Sequence, residues 1–185
     1  MGSYAELYFT DAGIKPAQGE LSDDAPYLLS GHHLPLLWLS LFQREDIIDL
    51  PDPDEPDSPW PYLVAPRTQA MATLAARRAL LSTRFPGLKP LWFDQFAAML
   101  AQAPFAFVHL DTMEIGSMIA TGPEWRRILE RLLGVFDTDA ARAEAGWRQF
   151  DAGFIGPYQG KDADKPWTYC GSGGAGSPMP WDPPE

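Results

Sequence analysis

The chain has 185 residues, 45% of them hydrophobic and 12% aromatic, with seven tryptophans and a formal net charge of −11. That is enough apolar material for one domain with a core, and too much for a disordered chain. The negative balance excludes bare nucleic acid and an anionic membrane surface as partners, because both are bound through clustered Lys and Arg.

In chain order, the aromatic-rich "SYAELYF" at 3–9 reads as a strand. "TDAGIKPAQGELSDDAP" clusters Gly, Pro, Asp and Ser and reads as turn and loop. In "HLPLLWLSLFQRED" (33–46), Leu34, Leu37 and Leu41 recur at helical spacing and Pro35 suits a first turn, so a short buried helix is expected. "LPDPDEPDSPWP" (50–61) follows, with four acids and five prolines, and is expected to lack regular structure because proline fixes φ and removes a donor. "TQAMATLAARRALLSTRF" (68–85) is a helix with Thr68 as its cap and Met71, Leu74, Leu81 and Phe85 on one face.

"PLWFDQFAAMLAQA" (90–103) is a second helix, with Phe93, Phe96, Ala97 and Leu100 turned inward. "FAFVHLDTMEI" (105–115) is the best strand candidate. "TGPEWRRILERLLGVF" (121–136) opens on a Thr cap and carries the stripe Trp125, Ile128, Leu129, Leu132 and Phe136. A shorter helix is expected over 138–150, and "CGSGGAGSPMPWDPPE" (170–185) has the composition of a flexible tail. The fold class is therefore α+β: one mainly helical domain over 1–168 with a few short strands, then a Gly/Pro-rich tail, flexible or docked, over 169–185.

The acidity is concentrated. Residues 1–66 carry twelve acids against Lys15 and Arg44 alone. Cys170 is the one cysteine, so no internal disulfide forms. The first residues show no basic and apolar signal pattern, and no apolar run reaches the ~18 residues that span a bilayer. A cytoplasmic protein is the expectation.

Candidate chemistry is sparse. His32-His33 are adjacent and so face different ways, which suits a shared metal poorly. His109 and Asp111 share a face if 105–115 is a strand, where the carboxylate would orient the imidazole for general-base work. No G-x-S-x-G accompanies them. The Gly-rich run after Cys170 is followed by prolines instead of the Lys-Ser/Thr and helix of a phosphate loop. No cofactor is expected. The Arg pairs at 77–78 and 126–127 read as solvated helix faces, the second pair partly balanced by Glu124 and Glu130.

The opening "MGSYAELY" resembles the start of small bacterial proteins that begin "MGSY" and occur as N-terminal domains attached to HEPN or Toprim partners; the likeness covers eight residues. More broadly, the short first strand, the "LPLLWLSLF" helix and the strong acidity resemble small acidic bacterial proteins of the toxin-immunity kind. That resemblance implies a protein that neutralises a toxin delivered between competing cells, and it assigns no residue a role.

Three readings follow. The first is an acidic protein-binding module of the immunity or antitoxin kind, which occludes a basic protein partner such as a toxin domain. Its expected contacts are Asp49, Asp52, Asp54, Glu55, Asp57 and Trp60, on a loop that prolines hold extended; Asp23 and Asp24 are expected to join the patch if the acids converge. A solvated loop that only maintains solubility is the bland alternative. The second reading is a small enzyme built on His109 and Asp111. The third is a structural or assembly adaptor whose tail, with Trp167, Tyr169 and Trp181, docks on another chain or folds back on its own domain.

Overall fold

The computed structural model describes residues 4–16, 21, 25–51, 58–174 and 178–182. Six strands form one antiparallel sheet: β1 (Tyr4–Thr10), β2 (Tyr27–Gly31), β3 (Ile47–Leu50), β4 (Trp60–Pro66), β5 (Phe107–Asp111) and β6 (Ser172–Gly173). Their order across the sheet is β3-β4-β5-β1-β2-β6. Eight helices are found among the described residues, and half the chain is helical, so the α+β single domain expected from sequence is the observed class.

The sheet is two-faced because its side chains alternate. Ala5, Leu7 and Phe9 of β1, Leu28 of β2, Leu63 and Ala65 of β4, and Val108 and Leu110 of β5 are all buried on the core face. The register sets Leu7 opposite both Leu28 and Leu110, with Leu63 beside Leu110, which makes an apolar row across four strands. Helix α2 (Arg67–Arg84) buries Ala70, Thr73, Leu74 and Leu81; α3 (Pro90–Gln102) buries Trp92, Phe93, Phe96 and Leu100. After the short α4 (Met113–Ser117), helix α5 (Gly122–Leu133) buries Trp125, Leu129 and Leu132 of the expected stripe together with Leu133, while Ile128 and Phe136 are partly buried against the core.

Three expected elements differ in extent. The 33–46 segment is buried as expected, but its helix is a single turn, α1 (Leu36–Leu39), followed by a 3-10 turn at Arg44–Asp46. The reason is the Arg77 guanidinium, which donates to the carbonyls of Ser40 (3.0 Å) and Phe42 (2.7 Å) and so satisfies them without further helix. Helix α2 starts at Arg67 and not at a Thr68 cap, and the Arg67 side chain donates to Phe105, Leu100 and Ala101 carbonyls at the end of α3. Strand β5 ends at Asp111 because that carboxylate accepts the Met113 N–H at 2.9 Å and turns the chain into α4.

Strand β2 and most of β3 and β4 lie in short stretches for which the sequence suggests no element, and the ends of β3 and β4 reach into the stretch expected to be irregular. Leu50, Trp60 and Pro61, at the ends of the proline-rich stretch, are paired strand residues: Leu50 faces Trp60 and Asp49 faces Pro61. After α5 come α6 (Ala140–Gly153), α7 (Gly156–Gln159) and α8 (Pro166–Cys170). The chain then passes Gly171, whose φ of 74° and contact with Trp38 both demand glycine: a Cβ there would lie 2.2 Å from the Trp38 ring. Trp38 Nε1–H donates to the Cys170 carbonyl at 2.8 Å, and Trp181 Nε1–H to the Gly171 carbonyl at 2.7 Å, so the described part of the tail is built into the core.

Candidate functional site

The second face of the sheet is polar and aromatic. Tyr8 of β1, Tyr62 of β4 and His109 of β5 are all buried there, with Tyr8 opposite His109 in the register. Tyr8 and His109 rings stack with centroids 5.3 Å apart. The Tyr8 and Tyr62 hydroxyls are hydrogen-bonded, and the Tyr62 hydroxyl lies 3.0 Å from His109 Nδ1. On the other side of the ring, Nε2 lies 2.8 Å from Thr10 Oγ1 and 3.0 Å from the Ala12 carbonyl.

These partners specify the protonation of the ring. The Thr10 hydroxyl donates to the Ala12 carbonyl (2.7 Å), so Nε2 carries the proton and donates into that pair, while Nδ1 accepts from Tyr62. Tyr8 then donates to Tyr62, and the chain of donors runs in one direction from Tyr8 to the Ala12 carbonyl. Burial pushes the imidazole down to about 4, against an opposing hydrogen bond to Ala12, so His109 is neutral at physiological pH. Burial likewise raises both tyrosine hydroxyls well above their ordinary range.

His109 and Asp111 do share a face, but they do not pair. The Asp111 Oδ2 accepts from Lys15 Nζ at 2.5 Å, and its Oδ1 accepts from the Met113 N–H. The imidazole is instead oriented by Tyr62 and by Thr10 with Ala12, and it is fully enclosed. This arrangement holds a proton in place on a neutral imidazole that is enclosed from solvent.

Lys15 arrives on the segment that follows β1. That segment is fastened to the sheet at three points: Asp11 Oδ1 accepts the Ala106 N–H at 3.2 Å, the Ala12 carbonyl meets His109, and Lys15 meets Asp111. The ammonium also sits 5.5 Å from the centroid of the Tyr62 ring. Beside it opens a concavity of about 250 Å³ with an apolar wall of Leu50, Pro51, Trp60, Pro61, Tyr62 and Met113, and the Lys15–Asp111 pair at its polar end.

Of the residues expected from sequence to meet a partner, Trp60 is half-buried and lines this concavity. Asp49 is exposed on β3 and already paired with Arg126 at 2.8 Å. Asp52, Asp54, Glu55 and Asp57 lie outside the described residues, as do Asp23 and Asp24. The described chain meets the acidic stretch at Pro51 and Ser58, the first of which is in the concavity wall. Lys15, Tyr8 and Tyr62 were not singled out from sequence. Lys15 had a signal, being one of two bases among the first 66 residues; the tyrosines had none.

Elsewhere, His33 lies within 3.3 Å of the Thr168 carbonyl and 3.2 Å of both the Gly31 carbonyl and Ser30 Oγ; burial lowers its pKa. His32 is exposed with a φ of 64°. Among the described residues no three His, Cys, Asp or Glu side chains converge as metal ligands. Cys170 is fully buried, and burial raises its thiol far above the reactive range. Among the described residues no helix is long and apolar enough to cross a membrane.

No family model matches the chain, and neither a curated protein nor a solved structure matches it.

Proposed function

We propose that this chain is an acidic protein-binding module that takes a basic protein partner, in the manner of an immunity or antitoxin-like protein that neutralises a bacterial toxin by occluding it. One observation carries this reading. The stretch that concentrates the acids of the first third joins the described structure at the wall of a concavity whose aromatic residues, Trp60 and Tyr62, are of the kind that anchor interfaces. The charge supplies steering toward a basic surface, and the aromatic wall supplies the apolar contact that charge alone does not.

The enzyme reading is weaker on the same geometry. A general base needs access and a pKa near the working pH; His109 is enclosed, with its pKa pushed down to about 4, and Asp111 is engaged by Lys15. Of the tail aromatics named in the adaptor reading, Tyr169 and Trp181 are buried in their own domain, which is its folding-back form and leaves only the half-buried Trp167 to meet another chain.

The test is a pull-down at low and high salt with the wild type and with Asp52, Asp54, Glu55 and Asp57 all changed to their amides. A basic protein that is retained at low salt, released at high salt and lost in the variant is the expected result. A partner indifferent to both changes sinks the reading.

A further inference from the structure

We propose that the concavity walled by Trp60 and Tyr62 is a receptor for one lysine or arginine side chain of the partner, and that Lys15 occupies it in the free protein as an internal stand-in. This rests on the basic-partner reading and gives it a place. A protein cation is best held by a carboxylate at one end and an aromatic face at the side, with water excluded. Asp111 and Tyr62 supply these two groups, and the Lys15 ammonium is on both, 2.5 Å from the carboxylate and 5.5 Å from the ring centroid.

The Asp111 carboxylate is set independently of Lys15. Its Oδ1 is held by the Met113 N–H at 2.9 Å, and its side chain is only 15% exposed. Withdrawal of Lys15 therefore leaves an aimed, largely desolvated carboxylate against an apolar wall, which demands another cation. Lys15 itself is 37% exposed, on a long flexible stem, and its ammonium is held by that ion pair and the Tyr62 ring face. A part-exposed pair of this kind adds little net stability, so a cation that also buries its stem against Trp60 and Pro51 displaces it. The occupant is a protein side chain and not a metal ion, because among the described residues Asp111 is the one carboxylate in the lining. In sequence, Pro51 is followed by Asp52.

The experiment titrates a tetra-arginine peptide into the full chain and follows the indole N–H resonance of Trp60, identified by its absence in Trp60→Phe. Lys15→Met keeps the stem and removes the competing charge, so it tightens binding about fivefold or more. Lys161→Met, which removes an exposed lysine elsewhere and changes net charge equally, gives no such gain. Adding Asp111→Asn to Lys15→Met abolishes the gain, while its amide oxygen still accepts the Met113 N–H; thermal melts check that each variant is folded. A Lys15→Met protein that binds no tighter than wild type overturns the proposal, as does a double variant that keeps the gain. Either outcome leaves the salt-dependent pull-down to stand or fall by itself.

Discussion

His109 shows how much one residue's meaning depends on its neighbours. Its strand position and its spacing from Asp111 are legible in "FVHLD", and both are as expected. What it does is decided by Tyr62, Thr10 and Ala12, which come from positions 47 to 99 residues away in sequence. Its pKa gives a signed prediction. The folded value of about 4 lies below the ordinary 6.5, so between these pH values the unfolded chain binds a proton that the folded chain does not. Stability from this group is complete above pH 6.5 and is lost as pH falls toward 4, by roughly 3 kcal/mol. His33, also lowered by burial, adds in the same direction. Urea melts of wild type and His109→Gln across that window isolate the effect: the variant has the shallower slope. Equal slopes mean that His109 is not held neutral.

At the scale of elements, periodicity located the long helices and missed the strands that depend on pairing. Helices α2, α3 and α5 carry their own apolar stripes, and α5 its own Thr121–Glu124 capping box, so their existence is a local property. Strand β4 carries prolines at 61 and 66 and reads poorly as a central strand, yet β3 and β5 pair with it on either side. Arg77 is a second case. It reads as one of a solvated pair, but it lies over the Phe136 ring at 4.0 Å and caps the turn after α1; burial lowers it to about 10.

Close packing between elements predicts a contrast on α6. A Cβ at Gly146 would lie 2.6 Å from the Arg131 carbonyl and the Val135 nitrogen, both backbone atoms that cannot swing away. Gly146→Ala therefore costs about 2 kcal/mol or more. Nothing stands within 4 Å of a Cβ at Gly153 on the same helix, so Gly153→Ala is neutral or stabilises by a few tenths, about 0.5 kcal/mol at most. Thermal melts of the two variants decide it, and similar melting temperatures contradict the packing.

At the scale of the whole molecule, the C-terminal segment is the surprise. Glycine and proline give it the composition of a flexible chain, but Met179 and Trp181 are buried, with Trp181 tilted on Phe96 at 5.7 Å. Trp181→Ala should cost about 3 kcal/mol and lower the melting temperature. It should also speed labelling of Cys170 by a thiol reagent, since that thiol is buried one residue from the carbonyl that Trp181 holds. Unchanged stability and labelling show that the segment is not part of the core.

The sequence by itself determined the class of fold, the long helices, the first and fifth strands and the concentration of acid in the first third. Each of these is carried by local spacing, capping or composition, which survive without a partner segment. Only the tertiary structure decided the rest. The six-stranded order, the neutral state of His109, the Lys15–Asp111 clasp and the Trp60 concavity all join residues far apart in the chain. Such contacts are set by register and by burial, and neither is written in any one stretch.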